Sequence, residues 1–321
     1  MSTVAPFIAL DVGTTHTRAW LVAGDSVLAE RRAPVGVRDS ARDRSNARLQ
    51  AALAEVIQAV ERDGGRVGSP IVASGMIGSS LGLGDVPHVD GPAGVADLAR
   101  AVKPLATNGL HDRPIWIVPG VRTRDPGRAA LADVMRGEET LCLGALETGS
   151  IRPGDTLVSI GSHWKRIATD ADGRVTGSRS SLGGELAEVV KSWTVIAEAV
   201  PEMWPARLDG EAIARGQDLT HRVGLPRALF ELRLNQLAGS TSPEYRLGVL
   251  VGAVIGADLT DWPASSHSGR WAVTGAPPIA EVWAAALDAR GYDVVQIDRA
   301  EAEQAQRVGL REIAHRAGRL S

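Results

Sequence analysis

The chain has 321 residues, 44% apolar and 23% charged, and its 35 basic and 38 acidic side chains leave a net charge of −3. That is the composition of an ordinary globular protein, long enough to favour two domains over one core, and its charge leaves no footprint for nucleic acid. The single cysteine, Cys142, excludes an internal disulfide and a cysteine-cluster metal site. No apolar run reaches transmembrane length and no basic-then-apolar leader opens the chain, so a cytoplasmic protein with no membrane partner is expected.

PFIALDV (6–12) predicts a buried strand and TRAWLV (17–22) a second, joined by GTTH. GDS (24–26) turns the chain into a third strand, VLAERRAPVG (27–36), which completes a meander. SNARLQAALAEVIQAVERDGG (45–65) carries apolar residues at helical spacing and ends at a Gly-Gly stop. PIVASGM (70–76) reads as a strand running into a Gly/Ser loop, PAGVADLARAVKPL (92–105) as a helix with Pro92 near its start, and PIWIVPG (114–120) as another strand. The charged, turn-rich RTRDPGRAALAD (122–133) suits a passage between domains, with the first over 1–131 and the second over 132–321. DVMRGEETLCLGALETG (133–149) then reads as a helix, and DTLVSIGSHWKRIATDADGRVTGSRS (155–180) as two strands with a turn at DADG. Helices are expected around 184–200 and 226–238. SPEYRLGVLVGAVIGADL (242–259) reads as an apolar helix broken up by glycines. RWAVTGAPPIAEVWAAALDARG (270–291) gives strand, loop and helix, and a last strand and helix follow. The order is mixed α/β, and the meander argues against a simple doubly wound sheet.

Four segments carry chemistry. The turn after Asp11, Gly13-Thr14-Thr15, exposes successive backbone N–H groups and hydroxyls and so can form a nest for phosphate oxygens. An aspartate at the preceding strand end suits Mg²⁺. The same pentapeptide also fits an ordinary hairpin turn in which Asp11 caps backbone amides. Gly161-Ser162-His163 repeats the pattern and would hold the same phosphates from the other side. The third segment, Gly275-Ala276 with the following prolines, opens a helix. It suits a flat adenine ring or a phosphate at the helix N-terminus, and equally a plain loop-to-helix junction. The fourth places Glu138 and Glu139 at a helix start, where one of them can face a cleft as general base or both can simply complement the macrodipole. A P-loop, a dinucleotide G-x-G-x-x-G, H-E-x-x-H and a G-x-S-x-G elbow are all absent.

With these in order, the chain resembles the 2-dehydro-3-deoxygalactonokinase family of the actin/hexokinase/heat-shock-ATPase superfamily. DVGTTHTRAWLV, ASGMIGS (73–79), PAGVADLA (92–99), IVPGVRTRD (117–125), DVMRGEET (133–140), GSHWK (161–165) and GGEL (183–186) carry the resemblance. It implies a two-domain actin-like ATPase (ribonuclease H-like) fold, mixed sheets flanked by helices with an interdomain cleft, and MgATP-dependent phosphorylation of a sugar acid. Its implied roles are Asp11 for the metal, Gly13, Thr14, Thr15, Gly161, Ser162 and His163 for phosphates, and Gly275 and Ala276 beside adenine. Glu138 is the implied base with Glu139 and Asp133 behind it, and Lys165 lies near the transferred group or is a solvated hairpin residue. Ser74, Met76, Gly78 and Ser79 form the implied sugar loop, with Arg136 and Arg18 for the substrate carboxylate or for surface salt bridges. The chain departs from the family at Val12, at Ser162 and at Ser80, Gly82 and Leu83, which leaves the exact sugar acid open. A kinase for another sugar or sugar acid and an inactive nucleotide or sugar-acid sensor are the alternatives, and self-association into a homo-oligomer is left open.

Overall fold

The computed structural model describes residues 5–105, 113–124, 132–262 and 269–320. Contacts divide the chain into two compact units, one of residues 1–155, 167–179 and 300–321, the other of residues 156–166 and 180–299. The division therefore falls later than residue 131, and the C-terminus returns to the first unit.

The first unit opens with β1 (Phe7–Val12), β2 (Thr17–Ala23) and β3 (Ser26–Ala33), an antiparallel meander. Helices α1 (Val37–Asp43) and α2 (Ala47–Gly64) lead to β4 (Ile71–Gly75) and a 3₁₀ turn at Met76–Gly78. Next come β5 (Val89–Asp90), α3 (Val95–Ala101), β6 (Lys103–Leu105), β7 (Ile115–Ile117), β8 (Val121–Arg124), β9 (Ala132–Met135) and α4 (Glu138–Glu147). The main sheet has the order β3-β2-β1-β4-β7-β6, and β5-β8-β9 form a small second sheet. β1 is central and almost wholly buried, as a strand covered on both faces must be. Its Ile8, Leu10 and Val12 pack with Leu49, Leu53, Val56, Ile57 and Val60 of α2, the apolar stripe that helical spacing predicted. That stripe leaves Asp11 on the opposite face, in register with Ser74 of the parallel neighbour β4.

The second unit contains β10 (Thr156–Ile160), α5 (Gly183–Trp193), α6 (Gly210–Val223), α7 (Leu225–Leu237), α8 (Pro243–Asp258), β13 (Trp271–Gly275), α9 (Ile279–Asp288) and β14 (Val294–Ile297). With β11 (Trp164–Thr169) and β12 (Val175–Ser181) the strands form one sheet of order β12-β11-β10-β13-β14. α8 is buried along nearly its whole length. Its glycines do not break it. A Cβ on Gly252 would stand 2.1 Å from Ile213 O and one on Gly216 would stand 2.2 Å from Val249 O, so glycines let α6 and α8 meet backbone to backbone. Trp164, Trp262, Trp271, Trp283 and Tyr292 add an aromatic core, with Trp164 edge-on to Trp283 at 5.1 Å. The last helix, α10 (Arg299–Arg316), packs in the first unit.

Several expectations give way. Segment 133–149 is not one helix: it runs as strand to Met135, turns at Gly137 with φ +107°, and becomes helical only from Glu138. Segment 155–180 holds three strands rather than two, because the glycine turn at 161 separates two of them. The helix after Pro92 is short and passes into β6, and α1 and α6 are unanticipated. The supposed interdomain passage is flanked by β8 and β9, which pair antiparallel inside the first unit; its middle, 125–131, lies outside the described residues.

Candidate active site

The turn after β1 is held from behind. Gly13 N bonds to His16 O at 2.8 Å, and the carbonyls of Gly13 and Thr14 accept from Val37 N and Arg38 N at the start of α1, at 3.2 and 2.9 Å. Because a trans peptide points its N–H opposite its C=O, the amides of Thr14 and Thr15 are turned to the other side of the turn. Gly36 makes this clamp feasible, since a Cβ there would stand 2.4 Å from Thr14 O. Burial and then Arg18, Arg38 and Arg32 hold the His16 imidazole below its usual range.

Asp11 lies one residue before the end of β1, and three elements meet beside it. Gly75 ends β4 with φ +87°, and a Cβ on it would stand 2.4 Å from Val12 O and 3.3 Å from Asp11 Oδ1. Gly137 precedes α4, and its Cβ would stand 3.1 Å from Gly75 Cα and 3.9 Å from Asp11 Oδ1. Both positions have positive φ, which glycine adopts without strain, and at Gly75 a Cβ would strike backbone. Burial raises the Asp11 pKa, Arg18 at 3.5 Å opposes the shift, and the nearby charges of Glu138 and Glu303 add to it.

The two adjacent acids on α4 have different surroundings. Glu139 is fully buried, and both its oxygens accept from Gly137 N, at 2.9 and 2.8 Å, with Thr140 Oγ1 donating at 3.0 Å. Burial first, then Glu138, pushes its pKa up to about 7. Glu138 is only partly buried, and its Oε2 accepts from Arg136 N at 3.2 Å. Cys142, on the same helix, is buried, which pushes its thiol up to about 12; it is inert.

The Gly/Ser loop is tightly wound. Ser74 is fully buried and Ser79 donates to Met76 O at 2.7 Å, so both hydroxyls have partners within the protein. Gly82 lies where a Cβ would meet Ile77 O at 2.3 Å, so the residue is set by closure of the loop. Ser80 is exposed and Leu83 half-buried. Gly78 stands against Arg136, whose Nη1 would lie 3.4 Å from a Cβ there. The Arg136 guanidinium is 8% exposed and donates through Nη2 to Val86 O at 2.7 Å and Asp85 at 3.3 Å, while Nη1 has no hydrogen-bond partner among the described residues. Arg18, by contrast, is already paired with Asp11.

In the second unit, Ser162 O accepts from Glu185 N at 2.8 Å, and a Cβ on Gly184 would stand 2.1 Å from Gly161 O. The hairpin is thus clamped by the start of α5. Its Gly161 is exposed, Ser162 and His163 are half-buried, and His163 Nε2 lies 3.9 Å from Glu185. Lys165 is buried, not a solvated hairpin residue. Gly275 ends β13 in register with Ile160, so the loop carrying Ala276 opens at the same sheet end as the hairpin.

Sequence reasoning missed Gly36, Gly137, Glu303 and Gln306. The first two show only as glycines. Glu303 and Gln306 are polar residues three apart on a largely buried helix face, a pattern that signals work beyond packing.

Residues 11–313 match the family described as 2-keto-3-deoxy-galactonokinase. Over 317 residues the chain is 29% identical to 2-dehydro-3-deoxygalactonokinase of Escherichia coli strain K12, covering 97% of this chain and 98% of that one. It is 30% identical over 317 residues to a Rhizobium meliloti strain 1021 protein named "Probable 2-dehydro-3-deoxygalactonokinase DgoK1", covering 97% of each. A solved structure from Sinorhizobium meliloti, described as "a putative 2-dehydro-3-deoxygalactonokinase protein", superposes with a TM-score of 0.78 at 26% identity, over 96% of both chains. The mixed sheets flanked by helices are those of the actin-like sugar-kinase fold.

Proposed function

The chain belongs to the 2-keto-3-deoxy-galactonokinase family and is an ATP-dependent kinase, and on that premise we propose that it phosphorylates the terminal 6-hydroxyl of 2-dehydro-3-deoxy-D-galactonate, a cytoplasmic step of galactonate breakdown. The observation that carries the reading is the meeting of Asp11, Gly75 and Gly137 within van der Waals reach. It brings an acid, a Gly/Ser loop and the helix start bearing Glu138 to one place.

The surroundings of Asp11 suit Mg²⁺. Its carboxylate stands beside two glycines, and Glu138 and Glu303 deepen the negative potential. Mg²⁺ takes one or two carboxylates and keeps much of its water, so a single acid near the end of a strand is enough to hold it. Bound there, Mg²⁺ supplies charge neutralisation on the outer phosphates.

The chain's own residues do the rest. The backbone N–H groups of Thr14, Thr15 and His163, turned away from the clamped carbonyls before them, and the hydroxyls of Thr14 and Ser162 receive phosphate oxygens, with Gly13 and Gly161 allowing close approach; Gly275 and Ala276 border adenine. Glu138 takes the proton from the acceptor hydroxyl; it is partly exposed, whereas Glu139 is fully buried with both oxygens bonded to Gly137 N. Arg136 offers its unsatisfied Nη1 to the substrate carboxylate. Loop residues Met76 and Gly78 lie against the sugar, with Ser74 and Ser79 bracing them, and Lys165 steadies the transferred group. Arg18 tempers the charge on Asp11.

Coupled ADP release from MgATP tests this, with 2-dehydro-3-deoxy-D-galactonate, its gluconate epimer and several hexoses as acceptors. Selective turnover of the galactonate compound, lost in Asp11→Ala, is the expected result. Equal turnover of a hexose favours a kinase for another sugar. ATP binding without turnover of any acceptor favours a sensor.

A further inference from the structure

The last helix carries two buried polar side chains, Glu303 and Gln306, within the first unit. Gln306 is buried, and its Nε2 donates to Ser74 Oγ at 2.7 Å across 232 residues of chain. Ser74 is fully buried, stands in register with Asp11, and leads directly into Gly75, whose backbone is fitted against Val12 O and Asp11. The same helix also grips α4. A Cβ on Gly144 would stand 1.8 Å from Ala305 O, and one on Gly309 would stand 2.2 Å from Thr140 O. α10 therefore braces both elements that meet Asp11: the helix through backbone contact and the loop through one hydrogen bond.

Resting on the kinase reading above, we propose that Gln306 is a positioning residue for the loop 74–79, holding Ser74 so that the loop presents the sugar acid to Glu138. A buried hydroxyl that loses its partner is displaced or pays for desolvation, and a shift at Ser74 passes to Gly75 because they are consecutive. Displacement of a positioned substrate by about 1 Å can cost about a hundredfold. A merely structural role would lower stability without separating the two substrates.

Gln306→Met keeps the length of the side chain and removes its donor. The expected result is a KM for 2-dehydro-3-deoxy-D-galactonate raised about tenfold, with the KM for ATP changed by less than about twofold. Amide exchange should quicken at 74–79 and stay slow in α2. Ser74→Ala should give a similar shift, and the double variant should add little to either single change; if Gln306→Met melts too low to assay, Ser74→Ala carries the comparison. An equal rise in both KM values, unchanged exchange at 74–79, or fully additive single effects would overturn the proposal. The exchange arm needs no substrate, so a wild-type enzyme inert towards the sugar acid would sink the functional reading while exchange still decided whether Gln306 holds the loop.

Discussion

Turn 13–16 in the first unit and turn 161–163 in the second share one construction. In each, a glycine-bearing hairpin follows a buried strand, and the start of a later helix takes its carbonyls, Val37 and Arg38 in one case and Glu185 in the other. In each, a glycine sits against the turn because a Cβ would strike backbone: Gly36 on Thr14, Gly184 on Gly161. The turns differ in what stands beside them. The first has Asp11, two more acids in its field and three arginines acting on His16. The second has the half-exposed His163–Glu185 pair and an aromatic core anchored by Trp164. The construction of the turn is thus shared, while the charged groups beside it differ.

The largest test of that asymmetry is Asp11→Asn. Turnover should fall about a thousandfold or more, while the melting temperature holds or rises, because burial already disfavours the charged form. Substitutions in the two clamps come next. Gly36→Ala and Gly184→Ala place a methyl 2.4 and 2.1 Å from backbone oxygens, so each should cost about 1–3 kcal/mol of stability and raise the KM for ATP. A Gly184→Ala enzyme that melts early yet keeps its KM for ATP would break the parallel between the turns.

Glu139 gives a pH signature confined to the first unit. Its folded pKa of about 7 lies above the ordinary 4.5, so the folded state holds the proton more tightly and stability falls as pH rises between those values. The loss is about 3 kcal/mol at most. Glu139→Gln should flatten the thermal-melting profile across that window and be more stable than wild type above pH 7. The smallest effect belongs to the second turn. His163→Ala should change the KM for ATP by less than about threefold, since a half-exposed pair 3.9 Å apart contributes little.

The sequence made most of the first unit legible because its signals are local. The stripe of α2 and the Asp-Val-Gly-Thr-Thr turn are read from consecutive residues, and both stand where they were expected. The Glu138 helix was read to begin five residues too early, because the strand Ala132–Met135 is four residues of mixed character and its partner is β8, not an adjacent segment. α6 escaped because its buried face is mostly small or polar, with Ala212, Gly216 and Thr220 beside a single buried leucine, Leu219, so the stripe is thin. Gln306 and Glu303 escaped for a different reason: their partners, Ser74 and Arg32, lie 232 and 271 residues away, and no local pattern encodes such a distance. The glycines at 75 and 137 were visible as letters, but their function depends on three elements that the chain brings together from distant positions.

The most direct measurement is the product itself. Incubation with MgATP and 2-dehydro-3-deoxy-D-galactonate, followed by ³¹P and ¹³C NMR, should show a new phosphate monoester at C6 in amounts matching the ADP formed, and none with Asp11→Ala. A phosphate at another carbon, or ATP left intact beside unreacted sugar acid, would contradict the account.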